Sequence, residues 1–235
     1  ANEAFDEADE ALLCVRRIHF GRTPLRLNHF QPAPAQVFCR RQVCCIQAAK
    51  PQGSKVILMF ETTIVEKEKI KMKNPILIEG LPGIGLVGKI AADHMIAELK
   101  AVKVADLVSP HFPHQVIMQK NGVMRMIKNR FFYVKGKKHD LLILVGDVQA
   151  ITSEAQYEVT GKMLDYCQKK GVKLMITLGG YGTGKVQQKP RIFGIVSNKP
   201  MTEEYKKYGV IFGEPKGSII GAAGLLLGMG KIRKM

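Results

Sequence analysis

The chain has 235 residues and 46% hydrophobic content, enough for one large domain or two small ones with an ordinary core. Its longest uncharged apolar run, around Gly217 to Gly230, is too short and too glycine-rich for a membrane span, which takes about 20 residues. The net charge of +16 raises an anionic partner, but no RNA-recognition aromatic motif or arginine-rich helix accompanies it, so solvated lysines are expected and not a nucleic-acid partner.

Residues 1–58 and 59–235 differ in composition. The first part holds six Arg and two Lys and no methionine; the second holds four Arg and 24 Lys. The first part also shows no sustained period of 2 or 3.6. Three readings stand: a foreign extension translated ahead of a start at Met59, a targeting peptide, or a disordered tail. The acidic opening "ANEAFDEADE" argues against a targeting peptide, and the foreign extension is favoured. Four of the five cysteines lie there, with no disulfide framework and no metal spacing, which suits a reducing cytoplasm.

From Met59 onward the elements read in order. "NPILIEG" (74–80) is a buried strand ended by glycine, and 84–100 a helix with Ile84, Val87, Ile90, Ala91, His94, Met95 and Leu99 at three- and four-residue spacing. A strand at 102–109 follows, which predicts a crossover and parallel pairing with the first. Asn121-Gly122 marks a hairpin turn. Then come a strand at 140–147, a helix at 152–171 capped by Thr152 or Ser153, and a strand at 172–180. A strand at 191–198, a helix at 202–209 capped by Thr202, and a last strand or helix near 217–230 complete the chain. The fold class expected is α/β: a mostly parallel central sheet, helices on both faces and one β-hairpin excursion.

The loop "EGLPGIGLVGK" invites a nucleotide. Gly83, Gly85 and Gly88 spell G-x-G-x-x-G between a strand and a helix. Gly83, Gly88 and Lys89 also spell a Walker-like loop, but Ile90 stands where a magnesium-binding hydroxyl belongs. Gly179, Gly184 and Lys185 repeat the near-match, with Val186 at the same fault. Asp106 lies where a ribose-binding acid would, but mid-strand. Asp147 follows a strand end, where it would serve as a catalytic acid or cap the next helix. The architectural reading is that Gly80 and Pro82 shape the strand exit, and that glycines at 83, 85 and 88 and at Gly179, Gly180, Gly182 and Gly184 permit turns and close packing. It is preferred, with Gly83, Gly85, Gly88, Lys89 and Asp147 kept as an alternative nucleotide site. His111 and His114 lack the further ligands of a metal site, and neither a G-x-S-x-G nor an H-E-x-x-H motif occurs, so no metal, cofactor or catalytic set is assigned.

In order, "ILIEGLPGIGLVGKIAADHMIAEL", "SPHFPHQVIM", "DLLILVGDVQAITSEAQYEVTGKMLDY", "ITLGGYGTGK" and "GSIIGAAGLLLG" resemble the archaeal proteasome assembly chaperone family, over residues 59–230. Some members also carry an ATP-grasp superfamily label. The resemblance implies one α/β domain similar to purine nucleoside phosphorylases, and homo-oligomers that bind proteasome α or β subunits without catalysis. Family members typically end in a hydrophobic–Tyr–any-residue tail, whereas this chain ends "GMGKIRKM", so the native protein is expected to continue past Met235. Asn121, Gly122, Tyr181 and Lys185 are the candidate partner contacts. A nucleotide-binding enzyme, ATP-grasp-like or nucleoside-processing, is the alternative function.

Overall fold

A computed structural model describes residues 61–182, 184, 191–213 and 217–235. The N-terminal segment 1–58 and Lys185 lie outside them. Strands β1 (Thr63–Glu66), β3 (Val102–Val108), β6 (Asn129–Val134), β7 (Leu141–Gly146), β2 (Ile76–Gly80) and β8 (Leu174–Thr177) form one sheet in that spatial order. β4 (Val116–Met118) and β5 (Met124–Met126) form a separate hairpin. The helices are α1 (Val87–Glu98), α2 (Ser153–Lys169), α3 (Pro200–Lys206) and α4 (Ala222–Ile232).

The fold is α/β, but the sheet is mixed instead of mostly parallel. β2 pairs parallel with β7 and β8, whereas β1–β3, β3–β6 and β6–β7 are antiparallel. The expected β2–β3 pairing does not form: α1 carries the chain past β7 and β6, so β3 points the same way as β2 with two strands between them. β6 reaches β7 by a short antiparallel return, which takes the place a local crossover would have filled.

Two apolar layers hold the sheet. On one face Leu77, Leu107, Phe131, Leu142 and Leu144 meet Val159, Met163, Leu164 and Cys167 of α2 and Leu226 of α4. On the other, Ile78, Ile143 and Val145 meet Ala92 of α1, with Met95, Ile96 and Phe132 at the margin. Each fully buried Leu or Phe side chain contributes about 1.5–3 kcal/mol. α2 starts where the sequence predicts, with Thr152 Oγ1 accepting from Ala155 N at 3.2 Å, and Gly171 follows its end at φ 83°.

The expected core face of α1 is outside. Ile84, Val87, Ile90, Ala91, His94 and Leu99 are exposed, and the buried row is Gly88, Ala92 and the half-buried Ile96. Packing distance decides this: a Cβ on Gly80 would overlap the Gly88 carbonyl and the Ala92 methyl, so the helix sits on its small residues. Residues 191–198 are not a strand either; Phe193 makes one bridge to Ile211, and Gly194 packs on Val210 and Phe212. The short helix begins at Pro200, not Thr202, whose hydroxyl donates back to the Lys199 carbonyl at 2.6 Å. The end of the chain is the helix α4. Among the described residues no helix is long and apolar enough to cross a membrane.

Candidate functional site

The glycine loop is built against its neighbours. Glu79 O accepts from Leu178 N at 2.8 Å, and the Pro82 carbonyl accepts from Gln149 Nε2 at 2.7 Å. Gly85 (φ 62°) and Leu86 (φ 56°) are both left-handed, which turns the chain from a short 3-10 segment, Ile84–Leu86, into α1. Gly88 lies against the Leu178 carbonyl, and Gly180 against the Ile84 carbonyl and Val87. The two glycine loops therefore pack on each other, with Gly88 at a close-packing contact between α1 and the chain leaving β8. Among the described residues nothing lies within 4 Å of the Cβ positions of Gly83, Gly179, Gly182 and Gly184.

The charged members of the alternative nucleotide set are engaged internally. Lys89 pairs with Asp93 one turn along α1. Asp147 accepts from Arg125 Nη1 and Nη2 at 2.6 and 2.9 Å, from Arg130 Nη2 at 2.9 Å and from Lys128 N at 3.1 Å. Burial works to raise the Asp147 pKa, but the Arg125 bonds, the Lys128 amide and Arg130 outweigh it and hold the carboxyl below its ordinary value. Asp147 does not cap α2; Thr152 does. A cavity of about 440 Å³ opens elsewhere, beside β8, among Met175, Ile176, Phe193, Tyr205, Phe212 and Leu227, and none of the nucleotide-set residues lines it. Asp106 is buried mid-strand, with Lys128 Nζ at 2.8 Å, and His111 Nε2 lies 3.8 Å from Glu158. Among the described residues no three His, Cys, Asp or Glu side chains group as metal ligands.

The hairpin has two unlike faces. Val116 opposes Met126 and Met118 opposes Met124, and all four are exposed. Ile117 opposes Arg125 on the other face; Ile117 packs on the core and Arg125 locks onto Asp147. At the tip, Gly122 (φ 76°) donates to Gln119 O at 3.0 Å, and Asn121 Oδ1 accepts from Val123 N at 3.1 Å. Sequence reasoning found the tip but missed the methionine face, although the alternation of "VIM" against "MRM" carries it. A second apolar surface joins the exposed Ile84, Leu86, Val87 and Ile90 near the adjoining loop, where Tyr181 is exposed and meets Phe193 edge-on at 5.7 Å.

Comparison with known proteins places this arrangement. The structure of Pyrococcus furiosus PbaB, described as an archaeal proteasome activator, superposes with a TM-score of 0.71 at 47% identity, covering 75% of this chain and 78% of that one. Pyrococcus furiosus PbaA, described as an archaeal homolog of proteasome-assembly chaperone, gives 0.59 at 27% identity, over 73% of this chain and 71% of that one. An uncharacterized protein of Methanocaldococcus jannaschii is 32% identical over 72% of this chain and 67% of its own length; a second is 30% identical over 63% and 58%. The chain thus spans about two thirds or less of those two relatives. The PAC2 family model matches residues 77–235, and the chain belongs to the PAC2 family.

Proposed function

We propose that this protein is a non-catalytic, homo-oligomeric chaperone of the cytoplasm that binds proteasome α or β subunits and assists their assembly. The likeness to PbaB and PbaA supports a proteasome-related role. The observation that carries the contact is the β4–β5 hairpin: an outward face of Val116, Met118, Met124 and Met126 on a frame pinned from behind. Methionine surfaces adapt to varied apolar partners, as a chaperone contact requires. Asn121 and Gly122 form its tip, and Tyr181 and Lys185 are the further contact candidates. The stripe Ile84, Leu86, Val87 and Ile90 serves self-association, where a helix face this apolar has to be covered.

Native mass spectrometry of the protein, alone and with purified proteasome α and β subunits, tests this reading. Oligomers that capture a subunit, with capture lost in Met118→Glu/Met126→Glu, are the expected result. Oligomers that ignore both subunits, or a double variant that captures as well as the parent, would overturn it.

A further inference from the structure

The face of the sheet that carries α1 is only half covered by it. α1 packs on β2 and β7. In register across the sheet, Val65, Asp106, Arg130 and Val145 form one row from β1 to β7. Val145 lies beneath α1, and the row then runs outward into charge. Lys128, Lys67 and Lys103 approach Asp106 at 2.8, 3.5 and 3.7 Å. Lys128 also donates its backbone N–H to Asp147, which holds Arg125 and Arg130, so the two clusters are one patch. Five cations surround two carboxylates.

That leaves an unmatched positive excess. Lys67, Lys103 and Lys128 crowd the one Asp106 carboxylate and repel one another there. An external anion on this face would relieve that repulsion. The guanidiniums are already committed to Asp147, with Arg125 bidentate. The cations left to face outward are lysine ammoniums, Lys67 and Lys103 being the more exposed. Lysine acts as a point charge without the fork that favours phosphate, and Phe132, the ring of β6 on this face, packs with the α1 layer instead of offering a base a stacking platform.

We infer that the β1–β3–β6 half of this sheet face docks a carboxylate-rich segment of a partner polypeptide. Lys67, Lys103 and Lys128 receive its side chains, and Asp106 and Asp147 keep the cations in place while the site is empty. Successive same-side carboxylates of an extended segment recur at about 7 Å, within reach of lysines on adjacent strands about 5 Å apart. None of the three receiving lysines belongs to the methionine face of the hairpin, and the docking works whatever protein bears the segment.

The test titrates the full chain with a fluorescein-labelled deca-glutamate peptide and reads anisotropy at about 50 mM salt. Binding should weaken at least tenfold in Lys67→Glu/Lys103→Glu and at least fivefold at 300 mM salt. It should change less than twofold in Lys199→Glu/Lys207→Glu, which alters net charge equally at exposed positions away from the patch. Thermal melts verify folding, and Lys67→Ala/Lys103→Ala replaces the glutamate pair should that pair unfold. Equal losses in the two charge-matched variants, or affinity unchanged in the patch variant, would overturn the inference. So would displacement of the peptide by a duplex oligonucleotide at lower concentration than by unlabelled peptide, which would make the face a nucleic-acid surface.

Discussion

Arg125, on the inner face of a two-stranded hairpin, and Asp147, one residue past the end of β7, form a two-pronged ion pair at 2.6 and 2.9 Å. It ties an excursion that has its own separate sheet to the rigid end of the central one. The pair is largely withdrawn from water, with side-chain exposures of 24% and 8%, so its geometry persists where a surface pair would be screened.

Removing the Asp147 charge should therefore loosen the hairpin first. Asp147→Asn leaves Arg125 and Arg130 facing a neutral amide and should cost about 2–3 kcal/mol in urea denaturation. Hydrogen exchange should accelerate over residues 116–126 while α2 keeps its protection. Uniform acceleration through the whole domain would show that Asp147 is a general core element instead of a hairpin anchor.

The glycine loops separate in the same way. Gly88→Ala places a methyl against the Leu178 carbonyl and Gly80→Ala one against the Gly88 carbonyl, and backbone cannot yield as a side-chain tip can. Each should cost about 2–4 kcal/mol. Gly179→Ala meets open space at an ordinary φ and should lie within about 0.5 kcal/mol of the parent. Thermal melts with and without ATP or NAD complete the test: a nucleotide at about 100 times its dissociation constant would add about 2.7 kcal/mol, and such a gain would restore the nucleotide reading of the loop.

The elements with an unambiguous local signal were legible in the sequence. Thr152 before an amphipathic run, Asn121-Gly122 between two alternating stretches, and the apolar strands β2, β3, β7 and β8 lie within a few residues of their predicted places, whereas the strand expected at 191–198 does not form. What failed depended on partners remote in sequence. The periodicity of α1 marks one apolar stripe but not that Gly80, on another strand, admits only the small face. The order of strands turned on β6, an antiparallel return that a strand–helix–strand pattern does not announce. Asp147 reads in the sequence as a catalytic acid or a helix cap, because its arginines are 17 and 22 residues away in sequence.

The exposed α1 stripe should report on self-association without affecting the fold. Ile90 is 62% exposed, so Ile90→Glu should leave the melting temperature within about 2 °C. It should also move the protein to a smaller species in sedimentation velocity. An unchanged oligomer would place the subunit contacts on another face.

Cys167 is fully buried on α2, and burial pushes its thiol up to about 12. At pH 8 it should be neutral and shielded, and iodoacetamide should leave it unmodified in the native protein while alkylating it after urea unfolding. Peptide mass spectrometry separates it from the cysteines at 14, 39, 44 and 45. Native alkylation within minutes would mean that α2 opens far more readily than its packing implies.

Glu79 is the buried charge with the least support. It sits inside β2 between Leu144 of β7 and Thr177 of β8; Oε1 accepts from Leu81 N at 2.8 Å, and Oε2 finds no hydrogen-bond partner among the described residues. Burial raises its pKa from 4.5 to about 7, against the smaller opposing effect of the Leu81 amide. Between those two values the native state holds a proton that the unfolded chain has released, so stability falls as pH rises through this window. Above about pH 7 the loss levels off at about 3 kcal/mol. Asp106, Asp147, Asp140 and Glu66 have lowered values and act oppositely, their contribution being present above the unfolded values and lost on acidification. Glu79→Gln isolates the first effect, since the amide keeps the acceptor for Leu81 without the charge. Relative to the parent, the variant should gain about 2–3 kcal/mol more at pH 8 than at pH 5 in urea melts. An equal difference at the two pH values would mean that Glu79 ionises in the fold as it does in water, with solvent or a cation reaching Oε2.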